Sequence, residues 1–380
     1  MSISTLEHPA RAGVGRLVSL DVLRGATIAF MILVNNSGDR AYWPLQHSDW
    51  NGWTPTDLVF PIFLFLMGAS IVFSFEARLS RGELRRSLAA HTVKRFVILF
   101  LLGLVVNGFP FFHLETLRIY GVLQRIAICF LVCGLFYLAD RRAASKVATI
   151  VLLLLGYWIL LRWIPVPGYG YPVRNIPFLD KDANLVAYVD RHLFPGRLYE
   201  GTRDPEGLLS TLPAIATALM GMLAGMWLRS SRSPERKCAG MLAAGVLCML
   251  VGEIWNPWFP INKKLWTSSF VILTAGVALV AWAVCYWAVE IKGWTRGWTY
   301  FWLVFGKNAI AAYVFSELLA ASVWEVHLPG RRSLSQIAES HLNRAVHPLA
   351  IASLIYATVF VLVCWIPLLG LYRRKIFLKV

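Results

Sequence analysis

Residues 56–76 read Thr-Asp-Leu-Val-Phe-Pro-Ile-Phe-Leu-Phe-Leu-Met-Gly-Ala-Ser-Ile-Val-Phe-Ser-Phe-Glu. No charged side chain occurs between Asp57 and Glu76. A run of about 20 apolar residues is the length that carries one helix across a bilayer core. A barrel strand would be shorter and would alternate polar with apolar, which this run does not. Nine further segments of the same kind lie near 20–36, 93–110, 119–139, 147–164, 208–228, 239–256, 268–290, 299–322 and 347–369. The chain is therefore expected to be all-α: a polytopic transmembrane helical bundle of about ten spans, one domain over 1–380. An even number of spans puts both termini on one side.

Composition agrees. Of 380 residues 57% are hydrophobic and 15% charged, whereas soluble domains run roughly 45–50% apolar with glycine counted and about 25% charged. A soluble globule, a disordered chain and a disulfide-stapled module are excluded, the last because the 6 Cys are few and scattered. Cys129 and Cys133 share a helix face, but nothing completes a metal site around them, and none is expected.

The formal charge of +16 would suggest nucleic acid in a soluble protein. Here its placement decides. With a cytoplasmic N-terminus, 21 Lys and Arg fall on the inner side and 12 on the outer. The inner ones crowd into short loops, such as Arg78, Arg81, Arg85 and Arg86. That is the positive-inside pattern, so the termini are expected in the cytoplasm and nucleic acid is not an expected partner. No A-x-A site follows the first span, which should stay as an anchor. Four outward segments result, 37–55, 165–207, 257–267 and 323–346. The long 165–207 loop is rich in Pro, Gly and Tyr.

The first outward segment ends Tyr42-Trp43-Pro44-Leu45-Gln46-His47-Ser48-Asp49-Trp50-Asn51-Gly52-Trp53-Thr54-Pro55-Thr56-Asp57. One reading is an interfacial aromatic belt with an Asp-capped helix start. The other is a sugar site: the apolar face of a pyranose stacks on Trp while its hydroxyls bond Asp and Asn. In that reading His47, beside Asp49 or Asp57, is a candidate base at neutral pH. Ionisable groups inside spans are costly and point to function. Asp21 and Arg24 open the first span; Gln124-Arg125, Glu253, Lys307-Asn308 and Glu317 lie in later ones. They could be internal ion pairs or could line a polar shaft suited to a phosphate-bearing ligand. No phosphate-binding glycine motif is present.

These same residues carry a family resemblance. Ser19-Leu20-Asp21-Val22-Leu23-Arg24-Gly25, Val34-Asn35-Asn36, His47 with Trp50-Asn51-Gly52, and Asp57-Leu58-Val59-Phe60-Pro61 resemble the heparan-α-glucosaminide N-acetyltransferase family. So do Arg118-Ile119-Tyr120-Gly121-Val122-Leu123-Gln124-Arg125-Ile126, Asp204-Pro205-Glu206-Gly207, Pro260-Ile261-Asn262-Lys263-Lys264-Leu265-Trp266 and Gly306-Lys307-Asn308-Ala309. The matches run in order along nearly the whole chain. Between Asn35 and His47 the chain carries one residue more than the family pattern, and it is expected to be without the long N-terminal luminal domain of the lysosomal member.

The resemblance implies an acetyl-CoA-dependent transmembrane acetyltransferase of a bacterial inner membrane, with a glucosamine-type amino sugar as acceptor. It implies His47 as the catalytic residue with Asn35 beside it; Asp57 or Asp49 is expected to orient the imidazole. Asp49, Trp50, Asn51, Asp204 and Glu206 are the expected acceptor-binding residues. Arg24, Gln124, Arg125, Lys307 and Asn308 are those expected for acetyl-CoA. The partners are the amino sugar, acetyl-CoA and the lipid bilayer, with a homodimer left open. Two alternatives remain at this point. One is an O-acyltransferase for envelope polysaccharide. The other is a sugar or ion transporter coupled through Glu253, Glu317 and Lys307.

Overall fold

The computed structural model describes residues 17–378 except 39, 194, 195, 296, 326 and 328–331. Arg11, Arg16, Arg296, Arg331 and Lys379 of the charge count lie outside the described residues. Among the described residues the chain forms thirteen α-helices and no β-strand. They are α1 (Val18–Asn35), α2 (Val59–Leu79), α3 (Arg85–Gly108), α4 (Val122–Ala139), α5 (Ala143–Trp163), α6 (Leu185–Leu193) and α7 (Thr211–Leu228). Then follow α8 (Pro234–Trp255), α9 (Ser268–Tyr286), α10 (Trp298–Lys307), α11 (Ala309–Glu325), α12 (Leu334–Ala345) and α13 (Leu349–Arg373).

Nine of these, α1 to α5, α7 to α9 and α13, are long and apolar enough to cross a membrane. The tenth expected span, 299–322, is not one rod. It is the pair α10 and α11, bent by 81° at Asn308. The side chain of Asn308 serves another part of the chain: its Nδ2 donates to the Ile376 carbonyl at 3.1 Å, and its Oδ1 accepts from Leu378 N–H at 2.8 Å. At the bend the Asn308 N–H bonds the Phe305 carbonyl three residues back, at 3.1 Å.

Two layers follow from burial. In α2, α7 and α9 72% of the span window is buried, against 17% in α3 and α8. The inner helices meet through small residues, since lipid supplies no hydrophobic drive and close backbone approach must replace it. A Cβ on Gly68 would lie 1.9 Å from the Ala218 carbonyl oxygen, and one on Gly221 1.8 Å from that of Phe65. Gly25 and Gly306 let α1 and α10 approach in the same way. The 165–207 segment folds over one end of the bundle. There Phe178, Leu179 and Val186 pack with Tyr157, Phe259 and Leu265.

Candidate active site

Asp57 occupies the third position of the 3-10 turn Pro55–Leu58 that leads into α2. Its Oδ2 accepts from Thr54 N–H at 3.0 Å, Thr54 Oγ1 at 3.1 Å and Ser48 N–H at 3.1 Å. This is a capping box whose carboxylate still has one oxygen to spare. Oδ1 meets His47 Nδ1 at 2.7 Å. The helix-start reading of Asp57 is realised, and the residue that starts the helix also holds the imidazole. Asp57 is 1% exposed and His47 48%, so the ring stands on a buried anion and faces outward. A carboxylate at Nδ1 favours the proton there, which leaves the Nε2 lone pair basic.

A third group completes the cluster. Lys263 Nζ lies 2.9 Å from His47 Nδ1, 3.4 Å from Nε2 and 3.4 Å from Asp57 Oδ1. The loop that presents it is clamped to the Trp50-Asn51-Gly52 stretch. Gly52 N–H donates to the Ile261 carbonyl at 2.8 Å, and Asn262 Nδ2 to Asn51 Oδ1 at 3.2 Å. Asn262 Oδ1 also accepts from Leu265 N–H at 2.9 Å. Gly52 has φ +95, a backbone conformation that a side chain would strain. Burial, opposed by Asp57 and Glu206, holds the Lys263 ammonium below the ordinary lysine value. Sequence reasoning did not single Lys263 out, although it lies in the Pro260–Trp266 stretch of the resemblance.

Asp49 is exposed. Trp50 donates from Nε1 to the Leu179 carbonyl at 2.8 Å, and its indole already carries the Arg203 guanidinium at 5.2 Å. Asp204 and Glu206 are both taken by Arg118. Its Nε and Nη2 reach Asp204 at 2.7 and 2.6 Å, and Nη2 also reaches Glu206 at 2.6 Å. Burial opposes the charge of Arg118, but these ion pairs outweigh it and hold the guanidinium well above its usual value. Behind them Asp190 is fully buried, with its carboxyl pushed up to about 7 by that burial and by neighbouring Asp204. A cavity of about 430 Å³ opens beside Arg118, lined also by Asn107, Phe109, His113, Arg197 and Tyr199. Asn35, the last residue of α1, donates to Glu317 Oε1 at 3.1 Å on α11 rather than to His47.

The five residues expected for acetyl-CoA fall in two places. Arg24 pairs with Asp21 at 2.5 Å and also donates to the Gly306 carbonyl at 2.9 Å and Ser70 Oγ at 3.2 Å. Lys307 stands over the Tyr372 and Phe377 rings at 5.1 and 5.4 Å, beside Asn308. Gln124 and Arg125 are instead in the first turns of α4, at the end of the bundle that holds His47. Arg125 donates to Ser210 Oγ at 2.5 Å and the Gly207 carbonyl at 3.1 Å, under the Trp266 ring. Both polar atoms of Gln124, and Nε and Nη1 of Arg125, are buried without a hydrogen-bond partner among the described residues. Between the levels of Arg24 and Asn35 on α1, the seam with α2, α4 and α11 holds an apolar void of about 10 Å³ lined by Ile28, Met31, Phe63 and Tyr313. Among the described residues no group of His, Cys, Asp and Glu could hold a metal ion.

An imidazole held by a buried carboxylate, at one end of a bundle of apolar helices, defines a polytopic membrane protein with a His–Asp pair at one face. The chain belongs to the heparan-alpha-glucosaminide N-acetyltransferase catalytic family, whose model matches residues 16–253. The human heparan-alpha-glucosaminide N-acetyltransferase is 30% identical over an alignment of 418 residues, covering 96% of this chain and 60% of the human one. The mouse protein is 29% identical over 421 residues, covering 97% of this chain and 61% of its own. The chain thus spans about three fifths of the length of these relatives.

Proposed function

We propose that the protein is a transmembrane N-acetyltransferase. It moves the acetyl group of cytoplasmic acetyl-CoA to the amino group of a glucosamine-type sugar on the periplasmic side of a bacterial plasma membrane, with both termini in the cytoplasm. The observation that carries this reading is the His47–Asp57 contact of 2.7 Å, which lies within the residues that the family model matches. The orientation rests on the crowding of Lys and Arg into the short loops opposite His47.

His47 Nε2 can act in two ways. It takes the acetyl group itself, or it removes a proton from the sugar amine as the amine attacks the thioester. Asp57 holds the ring in either case. Asn35 or a backbone N–H near the ring would stabilise the developing oxyanion, a contribution of about 3 kcal/mol. Asp49, Trp50 and Asn51, in the same loop as His47, would bind the acceptor, with Asp204 and Glu206 held by Arg118. Arg24, Lys307 and Asn308 lie on the donor's route from the opposite face. The unpartnered Gln124 and Arg125 atoms would meet the donor near His47. Passage of the thioester requires the apolar seam between α1, α2, α4 and α11 to widen.

The test is His47→Ala in purified protein with acetyl-CoA and glucosamine. Turnover should fall by about 100-fold or more; turnover within a few fold of wild type would refute the assignment. A sugar whose nitrogen is already blocked should give no product, and product from it would turn the reading toward hydroxyl acylation.

A further inference from the structure

We propose that Lys263 is the acid that protonates the departing sulfur of the acyl donor, so that its own positive charge vanishes as His47 acquires one. The inference rests on the transferase reading above and adds the proton donor that reading lacks. Its basis is the placement of one ammonium against both nitrogens of the ring. Nζ is 2.9 Å from Nδ1 and 3.4 Å from Nε2, at the end of a loop pinned through Asn262 and Gly52.

A cation in that position conflicts with a simple base. Whether His47 is acylated or protonated, the ring becomes positive within contact distance of a second positive charge. The conflict disappears if Lys263 gives up its proton in the same step. In the acyl-enzyme route the Nε2 lone pair forms the bond to the acetyl carbon. The C–S bond breaks, its electron pair stays on sulfur, and sulfur takes the Nζ proton to leave as a thiol. Neutral Lys263 then stands beside acetyl-imidazolium. When the neutral sugar amine attacks, the C–Nε2 pair returns to the ring and the surplus proton on the amide nitrogen goes to Nζ. In the direct route sulfur again takes the Nζ proton, His47 takes the proton of the amine, and the ring passes it on to Nζ. Both cycles close without another reactant, and His47 and Lys263 together carry one positive charge throughout, matched by Asp57.

The second lysine of the pair does not compete for this role. Lys264 Nζ is 2.8 Å from Glu200 Oε1. The titratable and charged groups that face Lys263 are His47, Asp57, Glu206 and Lys264. Its ammonium is held below the ordinary lysine value by burial, which makes it a readier proton donor.

The experiment measures kcat against pH with acetyl-CoA and glucosamine for wild type, Lys263→Arg and Lys263→Gln, each shown to be monodisperse in detergent. Arginine keeps the cation beside Asp57 but does not release its proton. In wild type, kcat should fall on the alkaline side as Lys263 loses its proton. Both variants should lose about 100-fold or more in kcat, and that alkaline fall should be absent from their profiles. A Lys263→Arg enzyme within about 10-fold of wild type would make Lys263 a counter-charge only and overturn the proposal. So would an alkaline limb that persists in Lys263→Gln. Wild type that acetylates nothing would refute the transferase reading itself, a separate outcome from failure of the lysine role alone.

Discussion

Replacing Asp57 by Asn removes one charge from a carboxylate that meets five polar groups, and the structure says how the loss divides. If the amide oxygen takes the place of Oδ2, it keeps Thr54 N–H, Thr54 Oγ1 and Ser48 N–H. Its NH2 then points at His47 Nδ1, which must accept, so the ring proton moves to Nε2. The reverse rotamer aims NH2 at two buried backbone N–H groups, a cost of about 1–3 kcal/mol for each group left unsatisfied. The first arrangement is cheaper, so the turn and α2 should survive with the imidazole in the wrong tautomer. Lys263, 3.4 Å from Oδ1, loses a gross attraction of about 5 kcal/mol at an effective dielectric of 20, much of it returned by hydration. The expected result is a stability loss of about 1–3 kcal/mol and a fall in turnover of about 10³- to 10⁴-fold. Release of free thiol from acetyl-CoA in the presence of glucosamine measures the second, and thermal unfolding in detergent the first. A folded Asp57→Asn protein that keeps a third of wild-type turnover would show that the imidazole needs no orienting carboxylate.

Two further outcomes concern the frame around the site. Gly221→Ala drives a Cβ into the Phe65 carbonyl oxygen, 1.8 Å away on α2, and should cost about 1–3 kcal/mol or more through overpacking; Gly370→Ala, with nothing within 4 Å, should leave the unfolding temperature in detergent unchanged. Asp190 has a folded value of about 7 against 3.8 for the free side chain, so its ionisation costs stability. That cost is absent below about pH 4, grows between pH 4 and 7, and is complete above pH 7, at no more than about 4 kcal/mol. Asp190→Asn should therefore unfold at a higher temperature than wild type at pH 8, with the advantage shrinking towards pH 5; an advantage independent of pH would contradict the assigned shift.

The features legible in the sequence were those with local signals. The spans show as apolar runs, and their ends agree with the helices to within a few residues except where α3 and α8 extend as polar turns beyond the hydrocarbon length. His47 and Asp57 were readable because they share one short segment whose turn brings them together. What escaped was decided by distant partners. A lone Asn308 in an apolar run carries no breaker signal; its partners are at 376 and 378. Asp204 and Glu206 read as acceptor-binding carboxylates, and nothing local tells that Arg118, 86 and 88 residues away, takes both. Lys263 and Lys264 are alike as letters, and only the fold of their loop turns one to His47 and the other to Glu200. Gln124 and Arg125 were grouped with Arg24 and Lys307 as polar residues within spans. Because α4 starts at Val122, they lie at the His47 end instead.

The most direct measurement uses sealed proteoliposomes in which donor and acceptor are confined separately. In vesicles that hold the protein in both orientations, N-acetylglucosamine should form with acetyl-CoA inside and glucosamine outside and also with the reverse, and His47→Ala vesicles should form none. Product appearing only when both are in the same compartment would contradict transfer across the membrane.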